Sequence, residues 1–193
     1  MNVPTVTHTS LLARLAEGAD PRAWTEFLAR YGDLIRGCCF RRGLQGADAE
    51  DVQQDVLLSL SKAMPGFQYD PSRGLFRSYL KTVVMNAVSR RLLQKVSAQG
   101  LSGVSEPAGA PAGDEEAWEQ EWRQYHFRRA MATIEPEFSE GDRRAFTLYA
   151  LEGRSVQEAA ETLGISVDSV YQAKSRIVRR LSAVIEAQIG EEG

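Results

Sequence analysis

Between Asp168 and Arg179 the chain sets Asp168, Ser169, Tyr171, Gln172, Lys174, Ser175, Arg176 and Arg179 around a segment whose apolar residues Val170, Ile177 and Leu181 recur at helical spacing. Side chains of these types reach nucleic acid. A glutamine amide bonds bidentately to adenine, lysine and arginine reach guanine or phosphate, and tyrosine and serine meet phosphate or thymine. In isolation, the solvated face of any amphipathic helix has the same look. The residues just upstream favour nucleic acid. Ser155 and Glu158 have capping-box spacing, Ala159 and Ala160 make a slim face, and Gly164 permits a sharp turn. Ile165 is expected to plug between two helices and Ser166 to cap the second. That is the layout of a helix-turn-helix, whose second helix lies in a DNA major groove.

Other chemistry is sparse. His8 and His126 are the only histidines, and neither belongs to a metal-ligand spacing. With no phosphate-cradling loop or nucleophile elbow, the sequence offers no catalytic residue, metal site or cofactor. Cys38 and Cys39 are adjacent in an apolar helical pattern, where they read as small buried hydrophobes rather than a bridge.

The elements that position these residues are helical throughout, so the expected fold class is all-α, two small helical domains joined by a flexible linker. The 193 residues, 43% apolar and 25% charged, suit a soluble globular chain of that size. Asp20 caps a helix that begins at Pro21 and carries Trp24, Phe27, Leu28, Tyr31, Leu34 and Ile35 on one face. A further helix follows Gly46, with Val52, Val56, Leu57 and Leu60 inward. Turn formers from Pro65 to Gly74 then make a loop holding Phe67 and Tyr69. The next helix, about Phe76 to Lys95, buries Phe76, Leu80, Val83 and Ala87 and sets out Ser78, Thr82, Asn86, Ser89 and Arg90. Residues 96–114, rich in Gly, Pro, Ser and Ala, read as linker. The expected divisions are a tail over 1–8, a first domain over 9–95, the linker over 96–114, a second domain over 115–188 and a tail over 189–193.

Charge is sorted along this plan. The net charge is −3, yet residues 1–97 carry net +4, residues 98–141 net −6 and residues 142–193 net −1. A free-standing, high-affinity nucleic-acid binder would be more basic. No apolar run approaches the roughly 20 residues of a membrane span, and the N-terminus lacks the pattern of a signal peptide, so a cytoplasmic location is expected.

"DAEDVQQDVLLSL" and "RGLFRSYLKTVVMNAVSRR", followed by a linker and a C-terminal helix-turn-helix, resemble the bacterial RNA polymerase sigma factors of the extracytoplasmic-function class. The resemblance spans about residues 9–188 and implies two sigma domains, core RNA polymerase and promoter DNA as partners, and no membrane insertion. It implies polymerase contacts at Asp51, Gln54, Asp55 and Leu58. At the start-proximal promoter element it implies contacts from Phe67, Tyr69, Arg77, Lys81, Asn86 and Arg90, with the two aromatics equally readable as core pegs. Arg91 would add a phosphate contact. The upstream element would be read by the stripe from Asp168 to Arg179. Class members are often held by an anti-sigma factor, although no residue here identifies one. The chain departs from the family pattern at Met85, Arg90 and Tyr79, where arginine, an acid and tryptophan are common, which leaves the preference at the start-proximal element open. The competing reading is a dimeric helix-turn-helix regulator that acts without joining polymerase.

Overall fold

The computed structural model describes residues 8–18, 20–67, 76–98 and 114–192. Among them are eight α-helices and no strand, divided between two compact units, one through Tyr125 and one from His126 to Gly190.

In the first unit α1 (His8–Glu17) starts within the expected tail and stops at Gly18, whose φ of +70° suits a residue without a Cβ. The α2 helix (Pro21–Arg41) starts as its sequence requires: Asp20 accepts a hydrogen bond from the Arg22 amide at 2.9 Å, and Pro21 occupies the first position. Arg14 bridges Asp20 and Glu26, tying α1 to α2. Helices α3 (Gly46–Ala63) and α4 (Phe76–Ala98) complete a core in which Phe27, Tyr31, Leu34 and Ile35 meet Val52, Val56, Leu60, Leu80, Val84 and Val88. Each such side chain contributes about 1.5 to 3 kcal/mol on burial. Val83 is only half-buried, the inward row of α4 running through Val84 instead. Cys38 and Cys39 are free and buried; burial pushes the Cys38 thiol far up and that of Cys39 up to about 12. They are packing groups.

The first unit also takes in residues beyond the linker. Asp114, expected at the linker's end, is the first residue of α5 (Asp114–Ile134) and is only 2% exposed. Where the sequence reading opens the second domain at 115, the boundary between the compact units falls after Tyr125. The physical reason is an aromatic stripe. Trp118, Trp122 and Tyr125 lie on one face of α5 and join the first core, Tyr125 stacking on Tyr31 at 5.6 Å.

The second unit contains the rest of α5, a 3₁₀ turn (Glu135–Glu137), α6 (Glu140–Phe146), a π turn (Thr147–Leu151), α7 (Val156–Leu163) and most of α8 (Val167–Glu192). Its packing has two layers. Ala130, Ile134, Phe146, Ile177, Leu181 and Val184 form one; Ala145, Val156, Ala159, Ala160, Val170 and Ala173 form the other. His126 Nδ1 lies 3.1 Å from Gln188 Oε1, both buried, so this histidine is structural. The α8 helix runs through the stretch expected to be a C-terminal tail.

Candidate nucleic-acid and polymerase interfaces

The helix-turn-helix is built from local signals. Ser155 accepts from the Glu158 amide while the Glu158 carboxylate accepts from the Ser155 amide at 2.9 Å, a closed capping box that holds the Glu158 carboxyl below its ordinary range. Gly164 turns the chain at φ +65°. Ser166 Oγ accepts from the Ser169 amide at 3.1 Å and starts α8. One expectation is corrected: Ile165 is 38% exposed and plugs nothing. Half-buried Leu163, still on α7, packs against the core instead, because the glycine turn carries the next residue outward.

On α8 the predicted stripe is exposed apart from half-buried Lys174, with Val170, Ala173 and Ile177 beneath it. Most of its side chains are already engaged. The Gln172 amide donates to Asp168 at 2.6 Å, Lys174 sits 4.8 Å over the Tyr149 ring, and Tyr149 meets Tyr171 edge-on at 5.6 Å. Arg176 lies 2.7 Å from Asp142. Ser175 and Arg179 face solvent. Just beyond them Arg180 makes two hydrogen bonds to Glu137, which hold the Glu137 carboxyl below its ordinary range.

A second constellation joins α3 and α4. Asp51 pairs with Arg91 at 2.6 Å and Asp55 with Arg90 at 3.8 Å, while Gln54 is exposed and Leu58 is 57% exposed. Asp48 accepts from both Arg91 and Lys95, whose hydrogen bonds pull its carboxyl below the ordinary range. Residues assigned from sequence to two different partners, Asp55 and Arg90, are thus each other's neighbours.

Phe67 is half-buried and stacks on Tyr79 at 6.0 Å, at the edge of the first core. Tyr69 lies outside the described residues. Asn86 is exposed in line with Ser78 and Thr82, as the helical spacing predicts. Arg77 and Lys81 are also on this helix, but each meets a carboxylate of α5: Arg77 donates to Glu119 and Lys81 to Glu115. Arg77 also lies 4.9 Å over the Trp122 ring.

Sequence reasoning missed these α5 partners. The spacing of Trp118, Trp122 and Tyr125, at i, i+4 and i+7, was a readable apolar stripe, and the net charge of −6 over 98–141 was a readable contrast with the basic first domain. Nothing in sequence alone joined the two. Among the described residues there is no cluster of side chains able to hold a metal, and no helix long and apolar enough to cross a membrane.

Residues 27–97 match the family described as Sigma-70 region 2, and residues 137–181 the family described as Sigma-70, region 4. The RNA polymerase sigma factor CnrH of Cupriavidus metallidurans is 30% identical over 182 residues, covering 92% of this chain and 94% of that protein. The ECF RNA polymerase sigma factor SigE of Mycolicibacterium smegmatis is 24% identical over 173 residues, covering 90% of this chain and 64% of that protein. A solved structure of CnrH in complex with the cytosolic domain of CnrY aligns over 92% of this chain and 96% of that one, with 24% identity and a TM-score of 0.37.

Proposed function

Because the chain belongs to the sigma-70 family, as a sigma factor of the extracytoplasmic-function class, we propose that its two compact units divide promoter recognition between them. The protein joins core RNA polymerase and directs initiation at promoter DNA. In the proposed division, Asp51, Gln54, Asp55 and Leu58 on α3 meet polymerase. The outer face of α4, with Arg77, Lys81, Asn86 and Arg90, meets the start-proximal element as its bases unstack, and Phe67 and Tyr69 add contacts to those bases. The upstream element is read as duplex by α8, Gln172 and Arg176 at base edges and Lys174, Arg179 and the hydroxyls at phosphate.

The observation that carries this reading is the pairing of two distinct family matches, at 27–97 and 137–181, each covering one of the constellations above. The protein's contribution is binding and remodelling of DNA, without covalent chemistry of its own, and its place of action is the cytoplasm, where polymerase is. Its net charge of −3 fits a factor that binds DNA poorly alone and gains affinity within the polymerase complex. The reading as a dimeric regulator independent of polymerase is not favoured, since it leaves the region 2 match without a role.

The test is co-elution of the purified chain with bacterial core polymerase, followed by transcription from a promoter pool. Co-elution and new start sites are expected. A chain that ignores polymerase yet dimerises on duplex DNA would overturn the assignment.

A further inference from the structure

The first three turns of α5 lie across the face of α4 that the proposed function assigns to DNA. Glu115 meets Lys81 and Glu119 meets Arg77, so carboxylates spaced i, i+4 along α5 face cations spaced i, i+4 along α4, in antiparallel register. Toward α2 the same segment continues the ladder: Glu121 pairs with Arg41 at 2.6 Å, Gln120 with Arg41 at 2.8 Å, and Asp114 with Arg42 at 3.1 Å. Acids in a first helical turn are explained by the helix dipole alone. Glu119 and Glu121 lie beyond that turn. Their positions follow the basic groups they meet.

A second observation marks this as a built dock. Gly37 sits inside α2, where glycine is disfavoured relative to alanine, and a Cβ there would stand 2.0 Å from Glu121 Oε2. The missing side chain is the notch that admits Glu121. Exposed ion pairs contribute little singly, so the acids set register while Trp118, Trp122 and Tyr125, all buried, supply the attachment. The attachment has an internal cost: Trp118 Nε1 is buried without a hydrogen-bond acceptor among the described residues.

We propose that residues 114–125 are an autoinhibitory arm, an acidic and aromatic helix whose carboxylates stand where DNA phosphates would meet Arg77 and Lys81, and which must lift away before that face takes up promoter DNA. This inference rests on the assignment of α4 to DNA. It accounts for a basic first domain inside a protein of net negative charge: the bases are answered in place by their own chain.

The experiment uses the full-length chain, with one variant that displaces the arm and one that strips its charge. Gly37→Leu fills the notch without changing net charge, with a side chain too large for the Glu121 carboxylate to avoid by turning aside and of a type helices accept well. Glu115→Gln with Glu119→Gln removes the ladder at two half-buried or exposed positions that bear no core load. Hydrogen exchange reports whether 114–125 loses protection while α3 keeps its own; fluorescence anisotropy reports binding of a fluorescein-labelled random-sequence single-stranded DNA at low salt. The Gly37 variant should lose protection over 114–125, the charge variant should keep most of it, and both should bind the oligonucleotide roughly tenfold tighter, as two regained phosphate contacts predict. Adding Arg77→Ala and Lys81→Ala should abolish the gain. A Glu17→Gln, Glu50→Gln control, equal in charge change, should show little of it. Release of 114–125 with no gain in DNA binding would overturn the mask, and undiminished protection in Gly37→Leu would overturn the dock. Co-elution with core polymerase, run on the wild type alongside, fails separately if the sigma assignment is wrong.

Discussion

Arg176 on α8 is held 2.7 Å from Asp142, a residue in the first turn of α6 whose amide is capped by Ser139 Oγ at 3.1 Å. The arginine most central to the stripe is thus oriented by the helix behind it. Arg176→Ala should weaken transcription from a cognate promoter by about tenfold to a hundredfold, the scale of one lost bidentate contact of about 1 to 3 kcal/mol. Polymerase co-elution should stay intact; its loss would mean that α8 does not read DNA.

The α3 surface makes the complementary prediction. Replacing Asp51 and Gln54 together with alanine, or exposed Leu58 with aspartate, should sharply reduce co-elution with polymerase. Because these groups face solvent, the change in folding stability should stay within about 0.5 kcal/mol, apart from whatever the Asp51 to Arg91 pair contributes. Gel filtration with core enzyme measures the first effect and urea unfolding the second. Unimpaired co-elution would remove α3 from the interface.

Ser155→Ala opens the capping box at the start of α7 and should cost about 1 kcal/mol. Thermal unfolding followed by circular dichroism should show the lowered midpoint. The Glu158 carboxylate loses its hydroxyl donor in this variant but keeps the backbone amide, so the loss should fall short of that in the Ser155→Ala, Glu158→Ala pair.

Acid sensitivity should trace in part to Asp48. Its carboxyl is held below the ordinary value of 3.8 by hydrogen bonds from Lys95 first and Arg91 next. A carboxylate with a lowered folded-state pKa stabilises fully above its unfolded value, and that stabilisation is lost as pH falls through the folded value. Asp48→Asn should therefore lower the unfolding midpoint at neutral pH, and the gap to wild type should close as pH drops well below 3.8. A gap that widens in acid would contradict the assignment of Asp48 to these two bases.

The amino-acid sequence by itself determined the helical class of the elements and several of their starts and stops. Asp20 and Pro21 start α2, Ser155 with Glu158 starts α7, Ser166 starts α8, and glycines at 18 and 164 reverse the chain. These are decisions made within about four residues, where propensity and capping act alone. It determined the polar stripe of α8 as well, since a helix whose apolar row is known has its other face known too.

Only the tertiary structure decided what each exposed charge meets. Ile165 misled because an apolar residue beside a glycine turn can face either way, and the direction depends on what α7 and α8 pack against. Asp114 was assigned to the linker and the aromatics after it to the second domain because no local signal records which core a stripe will join. Gly37 is the clearest case: in sequence it is a weak point in a helix, and only Glu121, 84 residues on, explains it. The ion pairs that cover Lys81 and Arg41 close over 34 and 80 residues. Pairing over such distances is chosen by whole surfaces fitting together, with burial of Trp118, Trp122 and Tyr125 supplying the free energy and the charges choosing the register.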